Sequence, residues 1–109
     1  MSDNKPGRST AIISYFTIIG GLIAITRNME PKHDFARFHA RQAFGIHLIY
    51  HSVATYLNLS EIENLVAWGT LWGVYLVSIL IGLTGAIANK ERFLPLLGSH
   101  FQKWFTFIP

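Results

Sequence analysis

Charged residues divide the chain into clusters separated by long uncharged, mainly apolar stretches. The uncharged stretches are residues 9–26, 42–60 and 64–89. As α-helices they would reach roughly 27, 28 and 39 Å, at about 1.5 Å per residue. A bilayer core is about 30 Å thick, and backbone polar groups inside it must bond within their own segment. The pattern therefore predicts an all-α membrane protein with three transmembrane helices, at about 10–26, 40–59 and 64–88.

The residues after the third stretch are too polar and too interrupted by proline and glycine to form a fourth span. Apolar residues nevertheless recur at intervals of three and four: Leu94, Leu97, Phe101, Trp104 (or Phe105) and Ile108. This spacing predicts a short amphipathic helix at about 93–107. It would lie flat on the cytoplasmic surface or dock onto a partner, and the sequence does not separate these alternatives. Residues 1–109 would then form one membrane domain.

The composition also favours a membrane protein, in which lipid rather than water surrounds most of the chain. Half of the 109 residues are hydrophobic and 14% are charged, whereas a soluble domain carries about 25% charged residues. The soluble alternative, three buried core helices, lacks an amphipathic partner to cover them. The apolar content also argues against a disordered chain. The sequence contains no cysteine, which excludes disulfides and thiolate-bound metal sites.

Orientation follows from the positions of lysine and arginine. In a three-span arrangement, residues 27–41 with four basic residues share a side with the tail, which has three. The N-terminus, with Lys5 and Arg8, shares the other side with residues 58–64. Basic residues mark the cytoplasmic side, so we predict the N-terminus outside and the C-terminus in the cytoplasm. Lys5 and Arg8 oppose this orientation.

The same two basic residues, followed by an apolar run, also resemble the start of a signal peptide. The end of the run, Ala24 to Arg27, is a poor cleavage site, and the run contains a stripe of small residues. A cleaved signal has no need of such a stripe, so a retained span is favoured.

Small residues recur at helical spacing and predict close helix packing. In the first span the stripe is Ser14, Thr17, Gly21 and Ala24. The third span has a GxxxG motif at Gly69 and Gly73, and a second small face around Gly82. Two small faces on one helix indicate more than one neighbour.

Two histidines lie inside the second predicted span. Around the helix axis, His47 and His51 fall within an arc of about 80° together with Thr55 and Asn58. We expect this polar face of the helix to contact protein or water rather than lipid. Ionisable residues at membrane depth are candidates for a functional role. The roles left open are hydrogen bonding to neighbouring helices, a proton relay or pH sensor, metal or haem ligation, and quinone or headgroup binding. No cysteine, aspartate or glutamate that could act as a third metal ligand lies in a predicted span, so no cofactor is predicted.

Enzymatic chemistry is not predicted. No carboxylate lies inside a predicted span, and the sequence contains no GxSxG, HExxH or glycine-rich phosphate loop. The net charge of +3 is read as a sign of membrane orientation rather than of nucleic-acid binding.

The segment that opens the second span resembles a known family. Phe35, His39 and Gln42 match a Phe-x-x-x-His-x-x-Gln-like signature, and residues 88–91 and 95–98 are also similar. This signature is found in small bacterial membrane proteins of unassigned function that resemble the membrane subunit of the chloroplast inner-envelope protein import translocon. The resemblance covers about residues 10–105. It implies a bacterial inner-membrane protein and a translocation-related complex; it supplies no catalytic residues, and the plastid relative has four spans rather than three.

These observations predict a small accessory or scaffolding subunit that packs against a larger membrane protein or complex. The predicted interaction residues are Ser14, Thr17, Gly21, His39, Gln42, Gly69, Gly73, Gly82 and Trp104. His39 and Gln42, at the membrane mouth, could bond either the 27–33 loop or the partner. The alternative function is a redox or proton-handling subunit that uses His47 and His51 as cofactor ligands or as a relay.

Overall fold

The computed structural model describes residues 5–109, so Asp3 of the first charge cluster lies outside the described residues. The described chain contains five helices: α1 (Arg8–Ser14), α2 (Thr17–Arg27), α3 (Asp34–Leu59), α4 (Leu65–Ile87) and α5 (Gly98–Trp104). Helix α3 contacts each of the other four. The molecule measures 48 × 25 × 22 Å, and its long dimension follows from the length of α3, about 39 Å for 26 residues.

Helices α3 and α4 form a long antiparallel hairpin. A short turn joins them, and Asn64 caps the start of α4: its side-chain oxygen accepts hydrogen bonds from the backbone N–H groups of Val66 and Ala67. Among the described helices, α4 alone is long and apolar enough to cross a membrane. The prediction of an all-α protein is confirmed, and the predicted bounds 64–88 agree closely with α4. The three-span membrane arrangement is not confirmed.

The first predicted span, 10–26, is two short helices rather than one. The chain leaves helical geometry at Phe16, and Thr17 adopts a positive φ of 60°. Helices α1 and α2 then run antiparallel, since the Arg27 guanidinium reaches the Ser9 hydroxyl at 3.3 Å. The expectation of a single helix was wrong because a count of uncharged residues gives the length of a segment but not its direction.

This reversal changes the position of the N-terminal residues. The backbone N–H of Lys5 bonds the Asn89 side chain at 3.0 Å, and the Arg8 guanidinium bonds the carbonyl of Ile87. Both basic residues therefore lie at the end of the molecule that carries residues 27–41 and the tail. The prediction that Lys5 and Arg8 lie at the opposite end from residues 27–41 was wrong for this reason.

The C-terminal segment folds back onto α3 of its own chain. The Phe101 ring lies directly over Gly45, where an added Cβ would overlap it. Arg41 holds the end of the chain by donating to the carbonyl of Ile108 at 3.1 Å. In the predicted apolar stripe, Leu94, Phe101 and Ile108 are buried, whereas Trp104 is 57% exposed. The tail therefore contacts the bundle, and Phe105 rather than Trp104 completes the stripe.

Burial in α1, α2 and α4 is inverted relative to a soluble helical bundle, whereas α3 and the tail bury large side chains such as Phe35 and Phe101. Every buried residue of α1, α2 and α4 is glycine, alanine, serine or threonine. Large apolar side chains instead face outward: for example Ile19, Leu22, Val66, Val77 and Leu80 are each at least half exposed. Soluble proteins bury such residues, and contiguous apolar surface marks contact with protein or lipid.

Candidate functional site

A buried polar cluster joins α1, α3 and the chain after α4. The Tyr15 hydroxyl lies 2.6 Å from His39 Nδ1 and accepts a hydrogen bond from Gln42 Nε2 at 3.1 Å. His39 Nε2 lies 2.9 Å from the Lys90 carbonyl oxygen. His39 and Gln42 are fully buried and Tyr15 is nearly so. The residues of the sequence signature thus meet in one site, with Tyr15 added.

These contacts fix the protonation state of His39. A carbonyl oxygen can only accept, so Nε2 must carry the proton and donate it to Lys90. In the neutral ring Nδ1 then has a free lone pair, which accepts from the Tyr15 hydroxyl. Burial lowers the pKa of His39 to about 4, against a smaller opposing effect from its bond to the Lys90 carbonyl. The imidazole is therefore neutral at physiological pH.

Gln42 holds the chain between α4 and α5. Its Oε1 accepts from the backbone N–H of Leu94 at 2.7 Å, and its Nε2 donates to the Arg92 carbonyl at 3.0 Å. With the bond to Tyr15, this side chain connects three segments. Sequence analysis left open whether His39 and Gln42 bond the 27–33 loop or a partner. The structure shows instead that they bond α1 and residues 90–94 of their own chain.

Asn28, which the sequence analysis did not identify, does bond the 27–33 loop. Its Oδ1 accepts from the backbone N–H of His33 at 2.9 Å, and its Nδ2 donates to the carbonyls of His33 and Pro109. The side chain is almost fully buried. Asn28 therefore ties the loop to the end of the chain. Its signal in the sequence was weak, because an asparagine after a helix is usually a solvent-exposed turn residue.

His47 forms a second buried polar contact, deeper along α3. Its Nε2 lies 3.0 Å from the Ser14 carbonyl oxygen, and its Nδ1 lies 2.9 Å from the Tyr75 hydroxyl. By the same reasoning as for His39, Nε2 donates and Nδ1 accepts. Both ring nitrogens are therefore used within the chain, and neither has a lone pair left for a metal or haem iron.

His51 does not join His47 in this site. His51, Thr55 and Asn58 are exposed, and no described residue forms a hydrogen bond with any of these side chains. The ring of His51 lies edge-on to that of its neighbour Tyr50. Within residues 5–109, no group of three histidine, aspartate or glutamate side chains could hold a metal ion.

The two small faces of α4 differ in their contacts. An added Cβ at Gly82 would overlap the ring of Tyr15, so this glycine is required for α1 to approach α4. At Gly69 and Gly73 an added Cβ would meet nothing within 4 Å. Gly21 likewise lies against His47, and Ser14 is buried beside it, whereas Thr17 is exposed at the hairpin turn. The Gly69–Gly73 face is therefore open.

Lysine and arginine are confined to one end of the molecule, which also carries Glu30, Asp34 and Glu91. The nine lysine and arginine residues lie at the end where α1 begins and α4 ends: Lys5, Arg8, Arg27, Lys32, Arg37, Arg41, Lys90, Arg92 and Lys103. At the opposite end, the turn between α3 and α4 contains Glu61 and Glu63 and no basic residue. We refer to these as the basic end and the acidic end.

No family model, curated protein or solved structure matches this chain. The resemblance noted from the sequence therefore stays a prediction.

Proposed function

We propose that this chain is a small integral membrane protein whose α3–α4 hairpin crosses the bilayer. The observation that carries the proposal is the inverted burial, in which α4 buries only Ser78, Gly82, Gly85 and Ala86. In lipid, large apolar side chains can face outward without cost, and small residues allow helix backbones to approach closely. The same surface in water would be an aggregation hazard.

Helix α3 crosses together with α4 in this proposal, although it is less apolar. The two helices pack antiparallel, so a bilayer spanned by one is spanned by the other. Residues 42–59 of α3 carry no charge and would reach roughly 27 Å. The α1–α2 hairpin is shorter, at roughly 16 Å for the 11 residues of α2. It would enter the membrane from one side and return without crossing.

The charge separation supports one orientation. All basic residues lie at one end of the hairpin and none at the other, which is the pattern found when the basic end faces the cytoplasm. We therefore place the N-terminus, residues 27–41 and the C-terminus in the cytoplasm, and the 60–64 turn outside. Lys5 and Arg8 no longer oppose the orientation, as they did in the three-span prediction.

The proposed role is that of an accessory subunit that packs against a larger membrane protein. Gly69 and Gly73 support this role because they offer backbone contact on a face that no part of the described chain fills. Exposed Trp104 at the basic end provides a second contact surface. The sequence resemblance suggests a translocation-related complex as the partner.

Orientation can be tested by reporter fusions in a bacterial inner membrane. A phosphatase active only outside the cytoplasm should be inactive at either terminus and active when inserted after Ser60. Activity at the N-terminal fusion would contradict the proposal and favour the three-span arrangement.

The subunit role can be tested by extracting tagged protein in a mild detergent and identifying what co-purifies. A Gly69→Ile/Gly73→Ile variant should lose a partner that the wild type retains, because the added side chains block close backbone approach. Leu80→Ile, on the same helix but without added bulk, is the matched control. Recovery of a lone monomer from wild type and variants alike would contradict the proposal.

A further inference from the structure

The hairpin between α1 and α2 ends part-way along α3, and the α3 face beyond it is polar. The Ser14 carbonyl at the end of α1 bonds His47, so the hairpin tip lies at the level of His47. One turn further toward the acidic end, on nearly the same face of α3, is His51, followed by Thr55 and Asn58. These side chains lie where a longer hairpin would have covered them.

The hairpin tip itself has unsatisfied backbone donors. Helix α2 has no side-chain cap, and the first backbone N–H of the helix to be paired is that of Gly20, which bonds the Phe16 carbonyl. The N–H groups of residues 17–19 donate to no acceptor on any described residue. Phe16 and Thr17 are exposed. Open backbone of this kind is tolerated at membrane depth only where it is buried in protein or borders water.

The depth of these groups follows from the length of the helix. The uncharged part of α3 begins at Gln42, so His47, at the level of the hairpin tip, lies about 8 Å further along the helix axis, and His51 lies about 14 Å further. Both levels fall within a 30 Å hydrocarbon core, and His51 is close to its middle. An ionisable side chain and unpaired N–H groups facing hydrocarbon at these depths would be costly. Two independent features, one of the backbone and one of the side chains, thus require a polar environment in the same place.

We propose that this notch is a water-filled vestibule, open at the acidic end and closed within the bilayer by the α1–α2 hairpin tip. His51 and Thr55 form its α3 wall. Trp72, which packs against Tyr50 and Tyr75, lies on the α4 side of the same level. Water supplies the hydrogen-bond partners that the hairpin tip and the α3 wall lack. The inference rests on the proposed crossing of the bilayer by α3 and α4.

The natural absence of cysteine allows a direct test by single-cysteine labelling. Thiols react as thiolates, which form in water and not in hydrocarbon. The vestibule variants are His51→Cys and Thr55→Cys. The controls are Ile49→Cys, on the opposite flank of α3, and Val77→Cys, on the outward face of α4. Ser60→Cys, in the external turn, reports on topology. Each variant is treated in sealed right-side-out vesicles with a charged, membrane-impermeant thiosulfonate added from the outside.

The vestibule predicts that His51→Cys and Thr55→Cys react within about tenfold of the rate of Ser60→Cys, and that Ile49→Cys and Val77→Cys react at least about a hundredfold more slowly. If Ser60→Cys reacts but both vestibule variants are as slow as Val77→Cys, there is no vestibule, although the proposed topology stands. A spontaneous disulfide dimer of His51→Cys would also overturn the inference, because a second copy would then fill the notch. Failure of Ser60→Cys to react from outside would overturn the topology and the vestibule with it.

Discussion

The guanidinium of Arg27 lies 3.3 Å from the hydroxyl of Ser9, although the two residues are 18 positions apart in the sequence. In one straight helix they would be about 27 Å apart. The contact therefore distinguishes a hairpin from a membrane span in the first uncharged stretch. It also brings Lys5 and Arg8 to the basic end and determines which residues of α3 remain uncovered.

The hairpin can be tested by cross-linking within it. A Ser9→Cys/Arg27→Cys variant should be joined intramolecularly by a short bifunctional thiol reagent, because the gap between the two positions is one that the Arg27 side chain spans and the chain has no other cysteine. The measurement is the mobility shift on a non-reducing gel. Ser9→Cys/Thr17→Cys is the control, since Ser9 lies at the start of α1 and Thr17 at the hairpin turn, and these two positions should not cross-link. Equal cross-linking of the two pairs would contradict the hairpin.

Gly82 and Gly73 provide a matched pair for helix packing. Gly82→Ala should lower the unfolding free energy by about 1–3 kcal/mol, because the added methyl group overlaps the Tyr15 ring. Gly73→Ala should leave stability unchanged or slightly raised, because its surroundings are open and alanine favours helix. Thermal unfolding in detergent compares the two. A similar loss in both variants would mean that the Gly73 face is already filled by another part of the molecule.

The cluster of Tyr15, His39 and Gln42 should behave as one energetic unit. In a double-mutant cycle with Tyr15→Phe and Gln42→Met, we expect a coupling energy of about 0.5–3 kcal/mol, because each change removes a partner of the other. The measurement is the unfolding free energy of the four proteins. Tyr15→Phe combined with Asn58→Ala, a distant exposed site, should be additive. Additivity in both cycles would show that the hydrogen bonds do not cooperate.

Stability should fall in acid through His39. In the folded protein its pKa is lowered from 6.5 to about 4 by burial, so between these values the unfolded chain binds more protons than the folded one. The contribution of His39 to stability is thus complete above pH 6.5 and is lost as the pH falls toward 4, by up to about 3 kcal/mol. The melting temperature measured between pH 7 and pH 4 reports this loss.

The control for the acid effect is His39→Gln. Glutamine does not titrate, yet it can donate to the Lys90 carbonyl and accept from the Tyr15 hydroxyl. The variant should therefore lose much of the pH dependence between 7 and 4. An unchanged pH profile in His39→Gln would assign the acid sensitivity to other groups.

The tail should be held mainly by Phe101. Phe101→Ala removes the ring that covers Gly45 and should cost about 3–5 kcal/mol of local packing. The released tail should be cut faster by trypsin after Lys103, which mass spectrometry of the products can follow. Trp104→Ala, at an exposed position of the same helix, should leave the cleavage rate near that of the wild type. Rapid cleavage of the wild type itself would show that the tail is not docked.

Much of this fold could be predicted from the lengths of the uncharged stretches and from the positions of small residues within them. The predicted helix at 64–88 became α4, the second predicted span lies within α3, and the small face around Gly82 is buried. The reversal at Phe16 could not be predicted, because no glycine or proline marks it. It depends on long-range bonds from Ser14 and Tyr15 to α3, which local spacing does not encode.

The buried polar site could be predicted only in part, again because its contacts join residues far apart in the sequence. His39, Gln42 and His47 stood out as polar groups at helical spacing in an apolar segment, and all three are buried. Their partners Tyr15 and Tyr75 were missed because tyrosine is common in membrane helices and gave no distinctive pattern. His51 was grouped with His47 by helical spacing, but the hairpin ends before it reaches His51.

The shortness of α1 and α2 also bears on how the protein is made. Neither helix can span a bilayer alone, and their buried faces pack against α3 and α4, which are synthesised later. In the proposed topology the first 27 residues must wait at the cytoplasmic face until the long hairpin has been inserted. The N-terminal part would then reach its native position only after the ribosome has translated residue 87.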